Sequence, residues 1–498
     1  MELYTIKDVE LVESEVDKLT DIVEERKSTI FEPTKKELLS AIDHVIEFVK
    51  KNKRKIYGGY AQNKLIVNKN KEDAFYDDSE IPDVDVYTPK PLEDLREVAD
   101  ILHKKGFKDV LAGEAMHKET YYVSVKGERV LDLSYVPTEI YNNMPFVQID
   151  GMNYVAPEFI YIDLYKMFTE PYFSSFRWKK TFKRLRLLQK HYPFNKPTKK
   201  LNSAYDPPKN LETTVEKINK TIYDFIKEKE TFIITGQYAY NYYLEQSKID
   251  KDSKIGISKL FEQIKYPFMQ LISIDYVLDT VKLYMAISSS IKGDDKLSFK
   301  EHYPFWGMTG YGTVISYDNF PVLHIVSHND KCLPINVDKA RFYNSGKTIV
   351  ENNYKLTFGS FDLVLLMNLI SNFRAKVTKM TDKYHYHKIM TSHLGEMRTY
   401  YFKQNGKNLL NKSPFQSLII DCMGKAVDPI KCTMERRKER KKKGKMIVYR
   451  YDPENPTPKP DYKFFNSSGN EIKNTINLKV TKYINDESKY KELIQSKE

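Results

Sequence analysis

At 498 residues the chain is long for a single hydrophobic core and points to two or three domains. Hydrophobic residues at 41% and aromatics at 13% exclude a disordered chain. A net charge of +12 suits a polyanionic partner, because Lys and Arg release counterions from phosphates.

Met1-Glu2-Leu3-Tyr4 carries no apolar leader core, and no later stretch has the length of a membrane span. An intracellular protein with no membrane partner is expected. Residues 1 to about 33 mix charge with short apolar turns and read as helix. Thr34-Lys35-Lys36-Glu37 reads as a capping box. It opens a helix carrying Leu38, Leu39, Ile42, Val45, Ile46 and Val49 and ending near Asn52. Lys55-Ile56-Tyr57 is a short strand, Gly58-Gly59 a turn, and Tyr60 to about Val67 a helix. After an acidic loop, Asp83-Val84-Asp85-Val86-Tyr87 alternates as a strand. Pro91 to Lys105 is an amphipathic helix stopped by Gly106, and two strands follow. The second, Arg129 to Ser134, places Asp132 between apolar residues.

An amphipathic helix comes next, with Trp178, Phe182, Leu185 and Leu188 on one face and Lys179, Lys183, Arg186 and Lys190 on a neighbouring stripe. Prolines 193, 197, 207 and 208 mark a linker. Gly307-Met308-Thr309-Gly310-Tyr311-Gly312 has no phosphate-loop ending and reads as a turn, and His385 and His387 read as a surface pair. The densest positive run includes Arg436, Arg437, Lys441 and Lys442 and reads as a flexible solvated loop with RNA contact. The three cysteines, Cys332, Cys422 and Cys432, are few, odd in number and without metal-ligand spacing. They predict a reducing compartment, with no disulfide scaffold and no zinc site.

Asp83 and Asp85 sit at i and i+2, so both carboxylates can reach one point. Two close like charges need a cation between them, and hard oxygen ligands suit Mg²⁺ or Mn²⁺. Asp132 on its own strand also needs a partner. The glycines of a strand-to-helix turn let backbone N–H groups meet a phosphate without a Cβ in the way. Each feature alone has an ordinary structural explanation; their order in one stretch is far rarer.

That order resembles the polymerase-beta-like nucleotidyltransferase superfamily. The wording of Gly58 to Asn63, Pro82 to Tyr87 and Pro157 to Tyr165 is similar to the poly(A) polymerases of large DNA viruses, of the giant-virus and poxvirus kind. The resemblance implies AMP transfer from ATP to an RNA 3′-hydroxyl, with pyrophosphate released. It implies that Asp83, Asp85 and Asp132 hold two metal ions and that Gly58, Gly59 and Tyr60 meet the nucleotide phosphates. Tyr60 stands where many relatives have Ser, so backbone N–H groups are expected to hold more of the phosphate. The resemblance also implies a homodimer and a place in the host cytoplasm, a viral factory or the virion. The same fold allows uridylyl, CCA-adding or oligoadenylate chemistry, or a silent RNA-binding scaffold.

The second half echoes the first. Gly236-Gln237-Tyr238-Ala239-Tyr240-Asn241 matches Gly58 to Asn63, and Ser273, Asp275 and His324 are the expected counterparts of the aspartates. One carboxylate cannot hold two hard cations, so that copy is expected to be inactive. The fold expected is α/β (α+β): a helical segment (1–34), a catalytic nucleotidyltransferase domain with a mixed sheet (35–192), a linker (193–210), a second, degenerate nucleotidyltransferase-like domain (211–405) and a basic C-terminal region (406–498).

Overall fold

The computed structural model describes residues 5–30, 35–76, 84–201, 206–291, 295–328, 331–410, 412–425, 428–444, 448–456 and 479–495. Asp83 and Thr34 lie outside them. The fold is mixed α/β, built on two mixed sheets. The chain divides into two compact units: Met1–Tyr141 with Pro145–Val155 and Pro429–Glu471, and Asn142–Met144 with Ala156–Asp428 and Ile472–Glu498. Among the described residues no helix is long and apolar enough to cross a membrane.

The first unit begins with helices α1 (Ile6–Ile30) and α2 (Lys35–Lys51). Strand β1 (Lys55–Tyr57) runs directly into α3 (Gly58–Val67). Then come β2 (Asp85–Thr88), α4 (Pro91–Lys104), β3 (Val110–Glu114), β4 (Thr120–Val125) and β5 (Glu128–Tyr135). A short α5 (Thr138–Asn143) precedes the hairpin of β6 (Phe146–Ile149) and β7 (Met152–Val155). β2 pairs parallel with β5, a geometry that needs a long crossover, which α4, β3 and β4 provide. α2 and α4 bury their apolar stripes against this sheet, with Val45, Val49, Leu95 and Leu102 fully buried. Asp94 of α4 ties the layers together: it takes two hydrogen bonds from Arg54, both 2.7 Å, and one from the Thr88 hydroxyl.

The second unit opens with α6 (Pro157–Phe168), α7 (Pro171–Ser174) and α8 (Trp178–His191). It continues through α9 (Glu212–Lys227), β8 (Phe232–Thr235), α10 (Gly236–Ser247), β9 (Met269–Ser273) and α11 (Tyr276–Ser290). Strands β10 (Leu297–His302), β11 (Gly312–Tyr317), β12 (Phe320–Ser327), β13 (Leu333–Asn344) and β14 (Lys347–Gly359) follow. Helices α12 (Phe361–Val377) and α13 (Thr381–Asn405) and strand β15 (Cys422–Met423) complete the run. The chain then returns to the first unit with α14 (Pro429–Lys442) and β16 (Arg450–Tyr451), and to the second with α15 (Thr481–Ile484) and α16 (Glu487–Gln495).

The first sheet runs β3-β4-β5-β2-β1-β7-β6 after its edge strand β16. The second runs β10-β11-β12-β9-β8-β14-β13 before its edge strand β15. Strand for strand these are one order. The directions agree too: β8 is antiparallel to β9 as β1 is to β2, β9 is parallel to β12 as β2 is to β5, and β14 is parallel to β8 as β7 is to β1.

Three sequence expectations need correction. Cys332 and Cys422 are joined in a disulfide, because antiparallel β13 and β15 pair Pro334 with Cys422 and bring the two Cα atoms to 5.3 Å. A separation of 90 residues hides that pairing in the sequence. His387 is buried on α13, its Nδ1 2.8 Å from Asn368 Oδ1, while His385 alone is exposed. The basic run is a helix, α14, and not a loop. It is held to the first unit by two hydrogen bonds from Arg440 to Glu114, at 2.7 and 3.1 Å, and one from the Thr433 hydroxyl to Met116 O at 2.6 Å.

Candidate active site

β1 and α3 meet without a loop. Tyr57 is extended (φ −129°, ψ −167°) and Gly58 turns the chain with φ +71°. A positive φ favours glycine, and space adds a second requirement. A Cβ on Gly58 would lie 2.2 Å from Asp85 Oδ2. The start of α3 therefore abuts the Asp85 carboxylate. The N-cap residue Tyr57 makes no side-chain cap hydrogen bond, and the helix start carries the positive end of its dipole.

The strand register sets the rest. Tyr57 pairs with Asp85, Asp85 with Asp132, and Asp132 with Tyr122. Residues in one row across a sheet point to one face, and neighbouring strands are about 4.8 Å apart. Asp85 and Asp132 are thus adjacent carboxylates on one face, both half-buried. Arg129 reaches Asp132 Oδ2 at 3.4 Å and lies 4.8 Å from the Tyr122 ring centre. The Tyr57 ring stacks on Tyr87 at 3.7 Å, and its hydroxyl is 2.8 Å from Ser134 Oγ. Neither the Arg129 partner nor this stacked pair was found from sequence; the strand register was the missing information.

Gly58 and Asp85 are therefore in contact, and Asp132 is beside Asp85. Gly59 and Tyr60 continue the first turn of α3, with Tyr60 half-buried near Tyr154. Burial pushes the Tyr60 phenol above its ordinary value. Among the described residues no group of three metal-ligating side chains is assembled. The described carboxylates are the pair Asp85 and Asp132. Paired hard oxygens with a phosphate-ready helix end beside them suit a divalent cation carrying phosphate.

The candidate RNA residues fall on two helices. Lys179, Lys183, Arg186 and Lys190 are exposed on α8, whose Thr181, Leu185 and Leu188 are buried. On α14, Lys441 and Lys442 are exposed, whereas Arg436 and Arg437 are half-buried.

The second unit repeats the turn. Thr235 is extended (φ −132°, ψ −171°), Gly236 has φ +65°, and α10 begins uncapped. Asn241 Oδ1 accepts from the Ile264 N–H, as Asn63 Oδ1 does from Phe75. Ser273 Oγ donates to Asp279 as Thr88 Oγ1 does to Asp94. The expected counterparts Ser273 and Asp275 need correction. Thr235 pairs with Gln270, and Gln270 with His324. A Cβ on Gly236 would meet Gln270 Oε1 at 1.9 Å. Gln270 thus stands at the Asp85 position, and His324 at that of Asp132, as the sequence echo had it. Asp275 lies beyond β9 as the N-cap residue of α11.

Two family models match the chain: "Poly(A) polymerase catalytic subunit" over residues 43–174, and "APMV, Putative poly(A) polymerase, catalytic subunit, C-terminal" over residues 194–482. A protein of Acanthamoeba polyphaga mimivirus named "Putative poly(A) polymerase catalytic subunit" is 30% identical over 492 residues, covering 94% of this chain and 83% of that protein. A protein of the same name from African swine fever virus (strain Badajoz 1971 Vero-adapted) is 34% identical over 178 residues, 34% of this chain and 36% of its own. Among solved structures, the Megavirus polyadenylate synthase matches with a TM-score of 0.78 at 30% identity, covering 91% of this chain and 87% of that one.

Proposed function

The chain belongs to the family of viral poly(A) polymerase catalytic subunits, and from that membership we propose that it lengthens RNA 3′ ends with AMP taken from ATP. The observation that carries the reading is the row Asp85–Asp132 set against the Gly58 turn. In the reaction the RNA 3′-oxygen bonds to the α-phosphorus of ATP and the bond to pyrophosphate breaks.

Asp85 and Asp132, with Asp83, would hold Mg²⁺ or Mn²⁺. When bound, that cation supplies positive charge against the phosphate oxygens. The N–H groups at the start of α3, from Gly58, Gly59 and Tyr60, take phosphate oxygens directly, and Gly58 keeps the approach open. The buried core under the row fixes these groups before substrate arrives, so charge and position supply most of the rate. The exposed cations of α8 suit the RNA backbone, since each Lys or Arg meets one phosphate without reading sequence. Arg436, Arg437, Lys441 and Lys442 of α14 are assigned the same task.

Self-pairing has its own support. Val9, Val12, Val16, Leu19 and Val23 of α1 repeat at alternating spacings of three and four and are 42–60% exposed. That spacing is the one a coiled-coil seam uses, and a second copy of α1 is the partner it suits.

The test uses the full chain, a short labelled RNA, Mg²⁺ or Mn²⁺, and each nucleoside triphosphate separately. A long ladder with ATP alone is expected. One or two additions, or a preference for UTP, would replace the reading with another terminal transferase. No addition with either metal would leave an RNA-binding scaffold.

A further inference from the structure

The second unit keeps the turn and the strand register but holds no carboxylate in the row. Gln270 and His324 are neighbours there, as Asp85 and Asp132 are in the first unit. A cleft of about 250 Å³ opens at this place. Its lining includes Gln270, His302, His324, Arg374, Lys383 and His387, and no Asp or Glu. At the two positions of the row where the first unit has acids that suit a cation, the second has a neutral amide and an imidazole, which can donate hydrogen bonds to an anion.

The charges in the cleft are not balanced locally. Among the described residues neither Arg374 nor Lys383 forms an ion pair; the half-buried Arg374 guanidinium lies 5.5 Å from the Phe305 ring centre. The nearby carboxylate of Glu301 is already engaged, accepting from the N–H groups of Lys479, Val480 and Thr481 at 2.9 to 3.1 Å and from the Thr481 hydroxyl at 3.0 Å. Burial pushes His324 down to about 3, helped by Arg374, His302 and Lys383. Burial and the charges of Arg374, Lys300 and Lys383 also lower His302, against the pull of Glu301. Burial and Lys383 bring His387 to about 4. All three histidines are lowered chiefly by burial and further by nearby positive charge, and the start of α10 at Gly236 adds its own partial positive charge beside Gln270.

We propose that this cleft binds a phosphate group without a metal ion, Arg374 and Lys383 supplying the charge and Gln270, His302 and His324 the hydrogen bonds. The occupant is a phosphodiester of an RNA strand. Whole-ligand pockets begin at roughly 300 Å³, so this open cleft suits one phosphate group better than a complete nucleotide. Arg offers a planar fork to two phosphate oxygens, and Lys a point charge. The site stands apart from the catalytic reading, because it can be measured with no turnover.

The experiment uses the full chain in EDTA, with short oligo(A), pyrophosphate and ATP as separate probes. Arg374→Gln and Lys383→Gln are compared with the parent. Each should weaken oligo(A) binding about ten-fold and flatten its salt dependence by roughly one unit of log–log slope. Lys383 is exposed, so its variant reads the site even where Arg374→Gln harms folding. In histidine-labelled protein, NMR should show the His324 titration moving upward when oligo(A) is added to the parent, and not in Arg374→Gln. A response to pyrophosphate or ATP but not to oligo(A) keeps the phosphate site and overturns the RNA strand as its occupant. Unchanged affinity in both variants, with a His324 titration indifferent to every probe, overturns the site.

Discussion

Asp85 and Asp132 pair directly across parallel strands, Cα opposite Cα. Removing either charge should stop the chemistry and leave the scaffold. We expect Asp85→Asn and Asp132→Asn each to lower AMP incorporation at least about a thousand-fold, with a melting temperature within a few degrees of the parent. Radiolabelled ATP incorporation with calorimetry checks both. A folded variant that still extends RNA would remove these residues from the active site.

Arg129 lies against Asp132 as a competitor for any incoming cation. Its side chain is 49% exposed, so the pair contributes only about 0.2–1 kcal/mol. Arg129→Met should therefore lower the Mg²⁺ concentration needed for half-maximal incorporation by about two- to five-fold. A higher ATP KM with an unchanged metal requirement would instead place Arg129 on the nucleotide.

Gly58→Ala combines a left-handed backbone with a collision against Asp85. The backbone alone costs about 1–2 kcal/mol, and the carboxylate must also move. Gly127→Ala is the matched control: its φ is +88°, yet nothing lies within 4 Å of the added Cβ. Gly127→Ala should lose only the backbone cost, Gly58→Ala should lose more, and only Gly58→Ala should lose activity, by about a hundred-fold or more.

Asp163 on α6 is pushed up to about 6 by burial, against the pull of Lys166. Its folded value lies above its unfolded value of 3.8, so the folded form binds the proton more tightly. The stability this provides is complete below about pH 4 and is lost as pH rises through about 6. Asp163→Asn should therefore come close to the parent near pH 3.5 and exceed it at pH 7 by about 2–3 kcal/mol. Urea unfolding at the two pH values measures the difference.

The α1 seam predicts a concentration-dependent dimer. Val16→Glu with Leu19→Glu should shift the full chain toward monomer in sedimentation velocity at micromolar concentration. A parent that sediments as a monomer at every concentration would leave the repeat without a partner copy.

Local patterns were legible in the sequence where local forces decide. The 3.6-residue repeats of α2, α4 and α8, the glycine turn before α3, a strand at Asp85 and the alternation around Asp132 appear as expected. Register was not legible, because parallel pairing through a crossover leaves no local trace. Asp85 could be connected to Asp132 only by resemblance, and the second row was misplaced onto Asp275 because a chemical match outweighed the geometry of Thr235 and Gln270. Long-range partners were likewise hidden: Glu114 for Arg440, Asn368 for His387, Cys422 for Cys332. In each case the sequence shows a polar or reactive side chain, and the distant strand or helix that receives it is known only after folding.

Gly236 keeps its left-handed turn although the acid it would have faced is now Gln270. The backbone of the cradle is thus present without the acids. Side chains in that row can change without any strand having to move, so drift there is inexpensive to the fold. A repeated architecture is thereby free to divide its labour: one unit carries acids in the row, and the other carries a different set of charges on the same frame.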